Sequence, residues 1–192
     1  MRSDGVDSRR TDTRERAVGV ALSLFAQRGY TATSLREIAE QLGITKAALY
    51  FHFRTKEEIL TAILRGYLDG INALVVDAAR PLTADGQEAL LRGFAAHQER
   101  WGLDLVMLVR QNYTEIHGLP IGAEIKSAMR SLIEALSPEG AGPEQRLRVR
   151  LALSAFQIAA VTASIEDDGD EATLRASAYP IALEILRGGK PA

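Results

Sequence analysis

The residues best suited to chemistry in this chain lie between Ser34 and Phe53. Thr45, Lys46, Ala47, Ala48, Tyr50, Phe51 and His52 combine a hydroxyl, a positive charge, small side chains that permit close approach, and flat rings. That mixture suits a surface that meets phosphates, base edges and thymine methyls. Thr45 is also a good N-cap, and the helix behind it would turn its first backbone amides outward, where they can bind a phosphate. The same spacing could belong to an αα-corner in another kind of helical protein.

Such residues need two short helices and a tight turn to hold them. Ala39 supplies a small contact in the first helix, and Gly43 closes that helix, because glycine adopts positive φ without a Cβ penalty. Leu35, Ile38 and Leu42 share one stripe, and Ile44 and Leu49 point back into the same small core. Ser34 with Glu37, and Thr55 with Glu58, read as capping boxes.

The run Gly29-Tyr30-Thr31-Ala32-Thr33-Ser34-Leu35-Arg36-Glu37-Ile38-Ala39 is followed by Leu42-Gly43-Ile44-Thr45-Lys46-Ala47-Ala48-Leu49-Tyr50-Phe51-His52-Phe53 and by Lys56-Glu57-Glu58-Ile59-Leu60. Together these resemble the N-terminal domain of TetR-family transcriptional regulators, from about residue 12 to about residue 70. The resemblance implies an all-α protein: a three-helix helix-turn-helix DNA-binding domain, with its motif at 35–54, followed by an all-helical ligand-binding and dimerisation domain. It also implies roles. Lys46, Ala47 and Ala48 would begin the recognition helix, with Lys46 the direct donor to bases and the alanines making apolar contacts. Arg36 would reach a base from the preceding helix, bidentate contact with guanine suiting it. Thr33, Ser34, Thr45, Tyr50, His52 and Lys56 would hold phosphates. Phe51 departs from the polar or larger aromatic group more usual at its position. Tyr50 and Phe53 could equally be core residues.

Composition is compatible with a regulator of this size. Of 192 residues 46% are hydrophobic, enough for a proper core, and the formal charge is -2. Residues 1–60 hold ten Lys and Arg against eight Asp and Glu, and the remainder thirteen against seventeen, so the slight positive excess lies with the motif. There is no cysteine, which removes disulfides, thiolate zinc sites and thiol redox sensing. The N-terminus lacks the apolar core of a signal peptide, and no apolar run approaches the roughly 18 residues that span a bilayer. The expectation is a soluble, cytoplasmic protein.

Residues 1–11, with Arg2, Arg9 and Arg10, read as a flexible basic arm, and Asp12 or Thr13 as the cap of the first helix. A long helix from Lys56 to about Ala79 contains Gly66 and Gly70, which would allow either close packing or bending. After a break at 80–86, helices are expected near 86–100, 103–117, 120–136, 143–165 and 170–187, about nine helices in all with no sheet. The DNA-binding domain is thus placed at 12–70 and the second domain at 71–192. The helix from Leu151 to Ile165 is apolar or small almost all round and must be covered on several sides. The resembled family implies that the last two helices, about 143–165 and 170–187, form a homodimer interface. Pro180 should kink or interrupt the final helix.

Phe94, Trp101, Met107, Gln111, Asn112, Tyr113 and Phe156 are the candidate ligand-binding set, an apolar pocket with a few polar groups. His97 and His117 are too far apart for a metal motif, and the acidic run 166–171 lacks the alternation of an EF-hand loop, so no metal or cofactor is expected. No phosphate-cradling glycine loop or nucleophile elbow occurs, and the chain is not expected to be an enzyme. The resulting expectation is a homodimeric repressor, released from a palindromic double-stranded DNA operator by a small-molecule effector. An activator of the same fold and a helical protein-binding adaptor are the alternatives.

Overall fold

In the computed structural model the described residues are 4–78, 83–165 and 171–188, with the backbone alone described at 4–11 and 171. They form nine helices and no strand: α1 Asp4–Arg28, α2 Leu35–Leu42, α3 Lys46–His52, α4 Lys56–Asp77, α5 Ala84–Gln111, α6 Tyr113–Gly118, α7 Pro120–Leu136, α8 Pro143–Ala163 and α9 Glu171–Arg187. Arg2, the break at 80–82 and the acidic run 166–170 lie outside the described residues.

Two compact units result. One comprises 1–67 with 107–121, the other 68–106 with 122–192. Segment 107–121 is grouped with the N-terminal residues in the first unit. In the first unit Ala21, Leu24 and Phe25 of α1 are buried, as are Ile38, Ala39 and Leu42 of α2, Leu49 of α3, Phe53, and Ile59, Leu60, Ile63 and Leu64 of α4. In the second, Phe94, Leu91, Leu132, Val149, Ala152, Ala178 and Ala182 are buried, and α8 packs along α9.

Several expectations need correction. Residues 4–11 belong to α1 rather than to a flexible arm. Apart from Gly5 no residue type in that stretch strongly disfavours a helix. The break expected between 100 and 103 is present, by contrast: Gly102 is non-helical at φ 61° and ψ -166°, a conformation essentially restricted to glycine, so α5 is two helical segments joined at a kink. The helix expected at 103–117 instead divides at Asn112, at φ -120° and ψ 34°, whose buried amide donates to the Leu108 carbonyl at 2.9 Å. Helix α9 continues through Pro180.

Helix α4 is long and apolar enough, by length and composition, to cross a bilayer, contrary to the expectation that no such run exists. Its apolar stripe is used inside the protein instead, since Ile59, Ile63, Leu64, Leu68 and Ile71 are all buried. Gly70 serves close packing: a Cβ there would overlap the His97 imidazole, and one at Gly93 would lie 2.7 Å from Leu74 Cδ2.

Candidate nucleic-acid interface

The turn between α2 and α3 is built by Gly43 at φ 69° and ψ 29°, whose N–H donates to the Ala39 and Glu40 carbonyls. The Ile44 N–H donates to the Ala39 carbonyl at 3.0 Å, closing α2 with paired backbone groups. Both helices are capped by side chains. Ser34 Oγ accepts from the Glu37 N–H at 3.2 Å, and Glu37 Oε2 accepts from the Ser34 N–H at 2.8 Å, completing the expected capping box. Thr45 Oγ1 accepts from the Ala48 N–H at 3.1 Å. The Thr55 box is only half formed. Thr55 Oγ1 accepts from the Glu58 N–H, whereas Glu58 accepts from the Arg54 N–H, one residue earlier than the reciprocal pattern requires.

This framework leaves one face of α3 open. Thr45, Lys46, Ala47, Ala48, Tyr50 and Phe51 are exposed, Phe51 at 67%, while Leu49 is fully buried. Phe53 is buried at 2%, in the core role, with the Arg14 guanidinium 5.0 Å from its ring centroid. Lys46 Nζ lies 5.3 Å from the Tyr50 ring centroid, one turn along the same face. Phe51 meets the half-buried His52 edge-on at 5.4 Å between centroids.

The flanking residues divide by what their polar atoms already do. Arg36 is exposed, and its Nε donates to Glu40 Oε1 at 2.7 Å. That bond leaves the outer edge of the guanidinium for another acceptor. Ser34 Oγ also donates to Glu37 Oε2 at 2.8 Å, so its hydroxyl serves the cap. Thr33 is 1% exposed, and its hydroxyl donates to the Gly29 carbonyl at 2.9 Å, which gives a phosphate no access to it. Lys56 Nζ donates to the Tyr30 and Thr31 carbonyls at 2.7 and 3.1 Å and lies 4.7 Å from the Tyr30 ring centroid. Its ammonium therefore braces the α1–α2 connection and keeps one N–H for anything else.

Sequence reasoning missed several supports. Arg28 bridges to Glu37 at 3.5 Å, tying the end of α1 to the start of α2. The Ser34 hydroxyl and N–H, with Arg28 behind them, hold the Glu37 carboxyl below its ordinary pKa. Arg14, His52, Phe53, Glu57 and Arg65 line an open groove of about 520 Å³ beside α3.

The seven candidate ligand residues are shared between the two units. Phe94 and Phe156 pack edge-on at 5.5 Å in the second unit, where Trp101 meets His97 at 6.3 Å. Met107, Gln111, Asn112 and Tyr113 belong to the first unit. There Asn112 is buried, Gln111 is exposed, and the 62% exposed Tyr113 rests against His117 at 3.9 Å.

Comparison with known proteins points the same way as this geometry. The family of bacterial regulatory proteins called tetR matches residues 18–63. The transcriptional repressor KstR2 of Mycobacterium tuberculosis is 42% identical over 81 residues, covering 40% of this chain and 38% of that protein. The chain thus spans well under half the length of the curated relatives it matches. Among solved structures, a tetR-family regulatory protein from Rhodococcus RHA1 is 26% identical with a TM-score of 0.62, covering 91% of this chain and 96% of that one. The ketosteroid transcriptional regulator KstR2 of Mycobacterium tuberculosis shares the fold at 20% identity and a TM-score of 0.55, covering 93% and 85%. On the helix-turn-helix geometry and these matches together, residues 18–63 are similar to the DNA-binding segment of the tetR family of bacterial regulatory proteins, and the chain shares the fold of a solved tetR-family regulator.

Proposed function

We propose that this protein is a homodimeric, sequence-specific DNA-binding repressor that leaves a palindromic operator when a small molecule binds its second unit. The observation that carries the reading is the exposed face of α3, where Lys46, Ala47, Ala48 and Tyr50 stand on a doubly capped helix behind an αL glycine. Lys46 would donate to base edges, the two alanines would meet thymine methyls, and Thr45 with Tyr50 would hold phosphates. Arg36, oriented by Glu40, would reach a base from α2. Phe51 would add apolar contact in the groove.

Dimerisation is supported by an apolar stripe on the paired last helices. Leu147, Leu151 and Ile158 of α8 and Ile181 of α9 are exposed large hydrophobics, and a second copy would cover them. Repression is favoured by the name of the KstR2 relatives, which match in the DNA-reading part of the chain. Release would follow if the effector prefers a conformation whose recognition helices miss the half-site spacing, and the shift cannot exceed that difference in affinity. Helix α4 contributes residues to both units and is the element to carry such a change. The protein would act in the cytoplasm.

Selection of the purified protein against a random duplex library tests the reading. Recovery of an inverted repeat with half-sites about one helical turn or somewhat more apart supports a dimeric reader. Recovery of no common sequence would overturn it.

A further inference from the structure

A cleft of about 410 Å³ lies in the second unit, at the end of α7 and the beginning of α8. Arg130, Ile133 and Glu134 line it from α7, residues from Ser137 to Ala141 form the turn, and Arg146 and Arg150 close it from α8. Three arginines and one glutamate thus line the cleft. Other arginines of this unit are paired: Arg148 with Glu144 at 3.0 Å and Arg92 with Glu88 at 2.7 Å. Arg130, Arg146 and Arg150 make no ion pair among the described residues. Ala141 lines the cleft just ahead of Gly142, the α8 N-cap, which offers no side-chain cap. The positive end of the α8 dipole therefore adds to the same region.

Like charges gathered round a concavity repel one another, and an anion accepting from several guanidiniums relieves that repulsion with short, charge-assisted bonds. The volume falls within the range of small-molecule sites. Ile133, Pro138 and Ala141 provide apolar wall for the uncharged part of a ligand. None of the lining residues belongs to the α3 face or to the seven ligand candidates of the sequence. The geometry points to a second binding site in this protein, for a small anion that carries a phosphate or carboxylate group. The site stands independently of the DNA reading.

Isothermal titration of the full chain with pyrophosphate and, separately, with citrate tests it. Saturable binding of either is expected, and which one binds assigns the anionic group. Arg130→Gln with Arg146→Gln should weaken binding about ten-fold or more, since two charge-assisted contacts are lost. Glu134→Gln should tighten it, and Arg148→Gln, whose guanidinium is held by Glu144 outside the cleft, should leave it unchanged. Lys46→Ala should also leave it unchanged, which separates a free anion from the phosphates of DNA. Thermal melts of each variant distinguish lost binding from lost fold. No saturable heat with either anion, or equal weakening by Arg148→Gln, would overturn the site. So would Arg130→Gln with Arg146→Gln weakening duplex binding while sparing pyrophosphate.

Discussion

At the scale of single residues, the polar atoms around α3 fall into two groups, those that build the turn and those left for a partner. Ser34 and Glu37 belong to the first. Ser34→Ala should cost about 1 kcal/mol of stability, read by chemical denaturation, because α2 loses its N-cap acceptor. Glu37 titrates below its ordinary value of 4.5 in the folded chain, chiefly because the Ser34 hydroxyl and N–H bond to its carboxylate. Its contribution is therefore complete above that value and is lost as pH falls through the lowered folded pKa. Acid titration of Ser34→Ala and the unaltered protein should show the gap between them narrowing as pH falls below 4.5 and Glu37 is protonated, while the part due to the Glu37 N–H bond persists; a gap unchanged in acid would contradict the hydroxyl–carboxylate contact. Lys46 belongs to the second group. Lys46→Ala should weaken binding to duplex DNA and, to the extent that the ammonium neutralises a phosphate, lower the salt slope by about one. Lys56→Ala should act mainly on stability, since its ammonium holds the Tyr30 and Thr31 carbonyls.

At the scale of elements, glycines decide where helices end and how closely they approach. Gly43→Ala places a Cβ at φ 69° and should cost about 1–2 kcal/mol, read as a lowered unfolding midpoint. Gly70→Ala should cost about 1–3 kcal/mol, because the new methyl overlaps the His97 ring. His97→Ala in the same chain should recover part of that loss, whereas strict additivity would contradict the contact. Local signals in the sequence make much of this architecture legible. Gly29, Gly43 and the Pro120 and Pro143 helix starts fall where glycine and proline chemistry places them, and α7 runs over the expected residues. What stays hidden depends on partners distant in sequence or on weak local signals. Nothing between Asp4 and Asp12 marks where α1 begins, and Pro180 stands inside a helix that continues past it. Lys56 reads as a free cation until the fold sets it against carbonyls some 25 residues away. The aromatic and amide residues from Phe94 to Tyr113 look like one pocket along the sequence, yet they divide between two compact units.

At the scale of the whole molecule, an acidic chain would bind DNA through one small face presented twice. On the proposed reading, the exposed Leu147, Leu151 and Ile158 of α8 with Ile181 of α9 would be the surface on which that duplication rests. Ile158→Asp should shift sedimentation from dimer toward monomer with helicity retained, since a charge would replace apolar area at the seam. Dimers unaffected by that change would relocate the interface. The most direct test of the central claim is fluorescence anisotropy with a duplex carrying the selected inverted repeat, at two salt concentrations, for the unaltered protein and for Lys46→Ala/Tyr50→Ala. Tight binding that weakens steeply with salt and is lost in the double variant is the predicted result. Equal binding by both proteins, or binding indifferent to salt, would contradict recognition through α3.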